Sequence, residues 1–233
     1  MQKVKILGVG GSPRKNGNTT KMVNKALEGA GSVPDIETEL YEMGGKKIGF
    51  CVSCYKCLEK GYCILKDDFH EFVPKYMEAD GVLWGAPVYH TSIPASMKAL
   101  LDRLGNMSLL HYLGRGKMVP RFNKVCGVLT GGATRYGGQE LTLTALIHSC
   151  LLMNGIVVSG DNITGCYIGA SAWTGQGPNP LGKDNNDPEG MIGAENVGRR
   201  VAEMTRIVKA GMTALAKDLP EEYFYSWEQP TGS

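Results

Sequence analysis

The sequence is most informative at first for what it lacks. Lys and Arg together number 25 against 23 Asp and Glu, a formal net charge of +2, and no basic block is long enough to form a polybasic arm. A nucleic-acid partner is therefore not expected. The chain enters an apolar strand at once, without the apolar stretch and small-residue cleavage site of a secretory leader, so a cytoplasmic location is expected. The most apolar stretch, residues 141–158, is broken by Thr142, Thr144, His148, Ser149, Asn154 and Gly155, and reads as a buried helix followed by a strand rather than a membrane span. There is no internal repeat and no low-complexity tract. No side chain stands out as a general acid.

Two nucleotide-binding signatures also fall short near the start of the chain. Gly8-Val9-Gly10 opens the dinucleotide pattern G-x-G-x-x-G, but its third glycine position is Pro13. The frame from Ser12 to Gly17-Asn18-Thr19 lacks the lysine that a triphosphate-binding loop needs. What remains is an apolar run (Val4, Ile6, Leu7, Val9) suited to a buried parallel strand, then a loop carrying Ser12, Arg14, Asn16, Asn18, Thr19 and Thr20, then a helix starting near Gly17. Free N–H groups at a helix start, small hydroxyls and one Arg suit a terminal monophosphate such as that of FMN. The plainer alternative is an ordinary strand-to-helix turn.

At 233 residues the chain fits one doubly wound domain. Further strands are expected at 36–41, 79–84, 124–130 and 156–158, with helices from Asp67, from Pro94 to a stop at Gly105, over 139–153 and after Asp187-Pro188. Residues 106–122 carry no clear element beyond an exposed turn at 115–117, and 171–190 reads as loop. Alternating strands and helices imply right-handed crossovers, hence a five-stranded parallel sheet of order 2-1-3-4-5. The aromatic tail, 218–233, with Tyr223, Phe224, Tyr225 and Trp227, packs either on a neighbouring subunit or on its own domain, 1–217.

In an open parallel sheet, ligands sit beyond the carboxyl ends of the strands where the order reverses, which gathers three loops: 12–20, 87–91 and 130–138. Pro87, Val88, Tyr89 and His90 with Gly131-Gly132 offer an apolar and aromatic wall and close main-chain approach to a flat ring, and Thr130, Tyr136 and Gly137 of the third loop are further candidates. Tyr89 as a core aromatic, His90 as a helix cap and Gly137-Gly138 as a plain helix start remain open.

Four of the seven cysteines fall at Cys51-x2-Cys54-x2-Cys57-x5-Cys63, inside a segment, 43–66, too long for a plain connection after the second strand. In a reducing compartment they point to metal or redox chemistry rather than disulfides. Consecutive C-x-x-C steps turn three thiolates toward one point, and Gly61 allows the bend that returns the fourth, a compact set suited to a [4Fe–4S] cluster. The last gap is longer than that of the two-cluster ferredoxin run, and Ile64 rather than Pro follows it. Structural zinc and a thiol redox pair are the alternatives. Cys126, Cys150 and Cys166 read as buried small hydrophobes.

Residues 11–19, GSPRKNGNT, resemble the phosphate loop of the NAD(P)H-dependent FMN reductase family, and the compact cysteine motif resembles its iron–sulfur flavoprotein branch. The resemblance implies a flavodoxin-like fold, FMN contacts on the three loops and a homodimer or homotetramer. It also implies electrons supplied by NAD(P)H or ferredoxin and passed to a flavin, quinone, oxygen species or small organic acceptor. A flavodoxin-type electron carrier without a substrate of its own is the competing function, and a cluster serving as a redox sensor a third.

Overall fold

The computed structural model describes residues 3–175, 181 and 187–227. Its sheet is built on strands with almost no exposed side chain: β1 (Val4–Gly10), β3 (Gly81–Pro87) and β4 (Val125–Gly132) are buried along nearly their whole length. That burial on both faces is why they appear in the sequence as apolar runs without alternation. β2 (Ile36–Glu42) lies at the edge and is wetter. All pairings are parallel, in the order β2-β1-β3-β4-β5, with β5 reduced to Ile156–Val157. The fold is the expected flavodoxin-like one.

Helices cover both faces. On one side α1 (Asn18–Gly31) and α6 (Pro188–Ala214) enclose Met22, Val23, Ala26, Val197 and Val201. Their backbones nearly touch: a methyl group added at Gly198 would stand 1.8 Å from the Ala26 carbonyl oxygen, and one at Gly29 would stand 2.0 Å from that of Glu195. Asp187 caps α6 by accepting from the Gly190 N–H at 2.9 Å, with Pro188 opening the helix as expected. On the other side α3 (Phe69–Glu78), α4 (Ala95–Leu113) and α5 (Gln139–Leu152) pack Phe69, Phe72, Tyr76, Trp84, Met97 and Leu104.

Two expectations are corrected. First, α4 does not stop at Gly105 but runs on to Leu113. A single interior glycine costs only about 1 kcal/mol, less than the burial of Met107 and Tyr112 beyond it returns. Second, Ala170–Trp173 is not loop but a sixth strand, β6, which pairs with β4 from Leu129↔Ala170 to Gly132↔Trp173. It resumes the edge position that β5 abandons. The expected turn at 115–117 is present, with Gly116 at φ +63°. The tail packs on its own chain: Tyr225 and Trp227 lie on the α3–α4–α5 core, and the Trp227 ring stacks 4.5 Å from that of His111. Residues 228–233 and most of 176–186 lie outside the described residues.

Candidate functional site

The three loops meet at the carboxyl end of the sheet. The Gly11 N–H donates to the Gly85 carbonyl at 2.7 Å, and the Val88 N–H donates to that of Gly131 at 3.0 Å. Tyr89 and Ser92 exchange backbone hydrogen bonds across His90 (φ +48°) and Thr91 (φ +65°), a tight hairpin with two left-handed residues at its tip. Gly138 (φ +112°) lies under that tip, where a methyl group would come within 2.6 Å of the Thr91 Cα. Gly138 therefore does more than open α5.

Residues 11–20 have the makings of an anion cradle. α1 begins at Asn18 with Gly17 as its cap; no side chain caps it and its first turn carries no acid. Its leading N–H groups therefore have no partner within the helix, as at any helix start. Ser12, Asn18, Thr19 and Thr20 are buried, while Arg14 and Asn16 are exposed. Ser12 Oγ accepts from the Arg14 N–H at 3.2 Å, holding the loop round. One carboxylate oxygen of Glu42 accepts from both the Asn16 N–H and the Thr20 hydroxyl, each at 2.7 Å. A carboxylate of the chain itself thus satisfies these two donors in this structure. Asn18 Oδ1 accepts from the Leu181 N–H, which sets Leu181 against the start of α1.

The ring-binding candidates divide. Thr130 is fully buried and its hydroxyl donates to the Ala86 carbonyl at 2.8 Å, a brace between strands. Gly131 and Gly132 lie at the buried end of β4. Tyr89 is 43% exposed, not a core aromatic, His90 is exposed, and Tyr136 is 98% exposed. Gly137 donates its N–H to Gln139 Oε1 at 2.9 Å, fixing the turn into α5. Glu42, Gly44 and Trp173, which no local motif marks, also border these loops. Gly44 lies against the Arg14–Lys15 backbone, and Trp173 receives the Arg135 guanidinium 4.7 Å above its ring.

The cysteine segment folds onto α4. Its single helix, α2 (Lys56–Lys60), is flanked by Tyr55 and Gly61, both left-handed, so Gly61 supplies the expected bend. Gly114, just past α4, lets the chain approach closely: a methyl group there would stand 1.7 Å from the Leu58 carbonyl oxygen. His111 Nδ1 lies 2.8 Å from the Gly61 carbonyl oxygen, and burial lowers the His111 pKa, so the neutral ring donates there.

Cys51, Cys54, Cys57 and Cys63 line one cavity together with Arg103, Asn106, Met107 and Leu110 of α4. Burial, reinforced by the three neighbouring thiols, pushes the Cys57 pKa up. Arg103 is 1% exposed, and its Nη2 donates to Cys63 Sγ at 3.2 Å. Asn106 Nδ2 donates to Cys51 Sγ at 3.4 Å. Asp67 pairs with Arg103 at 2.5 Å. Burial alone would raise the Asp67 carboxyl, but Arg103 and the N–H groups of Gly49 and Phe69 outweigh it and hold the pKa below its ordinary value. Among the described residues no three His, Cys, Asp or Glu converge to hold a single metal ion. Four thiols lining one cavity, two of them accepting from N–H donors of α4, are the donor chemistry that an iron–sulfur cluster takes. Along α4, Arg103 lies about 12 Å from the helix start that follows the 87–91 loop. Cys126, Cys150 and Cys166 are buried elsewhere, as expected.

Comparison with known proteins gives the family. The NADPH-dependent FMN reductase family matches residues 4–165. An iron–sulfur flavoprotein of Methanocaldococcus jannaschii is 38% identical over 206 residues, covering 88% of this chain and all of its own length. One from Methanosarcina thermophila is 32% identical over 206 residues, covering 88% of this chain and 97% of the relative. Among solved structures, a flavone reductase superposes with a TM-score of 0.63 at 20% identity, over 88% of this chain but only 64% of that one, a likeness of fold. The chain belongs to the NADPH-dependent FMN reductase family and, within it, to the iron–sulfur flavoproteins.

Proposed function

We propose that this flavoprotein oxidoreductase binds FMN at the three loops and a [4Fe–4S] cluster at Cys51, Cys54, Cys57 and Cys63. In this reading it passes electrons from NAD(P)H or reduced ferredoxin to a flavin, quinone, oxygen species or small organic acceptor. The observation that carries the proposal is the cysteine cavity: four thiols among its lining residues and two N–H donors of α4 on the sulfurs of Cys63 and Cys51.

When bound, FMN supplies both two-electron and one-electron exchange, and an iron–sulfur cluster supplies one-electron exchange. The chain's own residues do the holding and orienting. Ser12, Arg14, Asn16, Gly17, Asn18, Thr19 and Thr20 grip the phosphate through N–H groups, hydroxyls and one guanidinium. Pro87 to His90 and Gly131-Gly132 bring main chain to the ring edge, and the exposed Tyr89 and Tyr136 give the mouth an aromatic surface for a flat donor or acceptor. No side chain is assigned a proton-transfer role. A homodimer or homotetramer accords with exposed Leu141, Leu151 and Leu152 on α5. No described helix is long and apolar enough to cross a membrane.

Steady-state oxidation of NADH and NADPH by the anaerobically purified protein, with a soluble quinone or free flavin as acceptor, tests the activity. Sustained turnover with one nicotinamide is expected. Electron uptake from reduced ferredoxin, without turnover on either nicotinamide or any soluble acceptor, would identify a carrier instead.

A further inference from the structure

Arg103 is the least expected side chain in the molecule. Arginine is almost never fully buried unless paired, yet this one is 1% exposed and lies with its guanidinium carbon 4.2 Å from the centre of the Phe69 ring. Nη1 donates to Asp67 Oδ2 at 2.5 Å and to the Gly49 carbonyl at 3.2 Å. Nη2 donates to the Leu65 carbonyl at 3.1 Å and to Cys63 Sγ at 3.2 Å. Nε has no partner. The fork thus ties together both ends of the cysteine segment and still spends one N–H on a sulfur.

A strut for the segment would need only the carbonyls and Asp67. The contact that such a role does not explain is repeated one turn on, where Asn106, an exposed residue, donates to Cys51 Sγ at 3.4 Å. Positions three apart share a helix face, so α4 presents two N–H donors to two different sulfurs of the same cavity. An electron added to a cluster increases the negative charge on its sulfur ligands, so N–H groups and a buried cation beside those sulfurs favour the reduced state. Hydrogen bonds to the sulfurs are among the determinants of cluster potential, and partners of the ligands tune the metal.

We propose that Arg103 and Asn106 are positioning residues that set the reduction potential of the cluster held by this segment. The inference rests on the cluster reading above and extends it to residues outside the cysteine motif. Its reaction is the transfer of one electron from dithionite to the oxidised cluster, with no bond made or broken.

The test is a mediated redox titration, followed by electron paramagnetic resonance, of the anaerobic holoprotein and of the variants Asn106→Leu, Arg103→Lys and Arg103→Gln. Iron content and urea unfolding are measured on the same samples. Asn106→Leu is the secure variant, because the residue is exposed and its bond is to sulfur alone. It should retain iron and unfold as the parent does, while its reduced-to-oxidised ratio at a fixed potential falls about tenfold, a midpoint 59 mV lower for one electron. Arg103→Lys, which keeps the charge but loses the fork, should also shift downward, and Arg103→Gln further than Arg103→Lys. If the parent binds a cluster and Asn106→Leu and Arg103→Lys titrate at its potential, the inference is overturned and the cluster reading survives. Loss of iron in the Arg103 variants with an unchanged Asn106→Leu potential would likewise overturn it and leave Arg103 a strut. A parent chain that takes up no iron on reconstitution would defeat the cluster reading itself, and this inference with it.

Discussion

Lys124 offers a sharp test of the packing beneath the sheet. Its ammonium lies 1% exposed at the start of β4, where Nζ donates to the carbonyls of Met77, at 3.1 Å, and Ala79 and to the Tyr225 hydroxyl at 2.7 Å. The rings of Tyr76 and Tyr225 lie 5.1 and 5.4 Å away. Burial lowers its pKa from 10.5 to about 7. Below pH 7 the native and unfolded chains both carry the proton. Between pH 7 and 10.5 the unfolded chain holds a proton that the native chain has lost, so stability should rise with pH. Each unit in that window adds about 1.4 kcal/mol, and the whole displacement is worth on the order of 5 kcal/mol as an upper bound. Above 10.5 the gain is complete. Other titrating groups are common to parent and variant, so the informative quantity is the difference between parent and Lys124→Met. Urea unfolding under reducing, anaerobic conditions should give a parent-minus-variant stability that climbs by about 1 kcal/mol or more per pH unit from 7.5 to 9.5. Parallel stability profiles for the two proteins would refute the reasoning.

The α1–α6 contact predicts that Gly198→Ala, whose methyl group would fall 1.8 Å from the Ala26 carbonyl oxygen, forces the helices apart at a cost of about 1–3 kcal/mol or more, read as a lower urea midpoint; an unchanged midpoint would show that the helices yield freely. Gly138→Ala combines a left-handed backbone with a collision against Thr91, and should weaken FMN binding at least about tenfold, or ~1.4 kcal/mol, in a flavin-fluorescence titration. Wild-type affinity in that variant would separate the Thr91 hairpin from the flavin site. Cys54→Ser should lose most of its iron while keeping flavin, because the cysteine cavity and the phosphate loop are built from different segments; joint loss of both would contradict that independence.

Much of the fold was legible because central parallel strands, buried on both faces, must be short apolar runs, and β1, β3 and β4 are. β6 escaped because Ala170-Ser171-Ala172-Trp173 is too short and too poor in branched residues to reveal its alternation. Gly105 misled because a breaker's cost is local, whereas the packing that overrides it comes from residues distant in sequence. The 11–20 loop and the cysteine motif stand out as candidates because their residue patterns are local in sequence. Glu42 does not, since it reaches the loop only through the β1–β2 register that sets it beside Gly10. Arg103 did leave a trace. It falls three residues after Leu100 and four before Met107, on the inward stripe of α4, where a charge demands a buried partner.

The most direct test of the two-site account is the flavin and iron content of protein purified without air and reconstituted with FMN, iron and sulfide, read with its visible spectrum. The account predicts about one FMN and about four irons per chain, with flavin bands overlying a broad iron–sulfur shoulder. Protein that stays colourless, or that carries one zinc in place of iron, would contradict it.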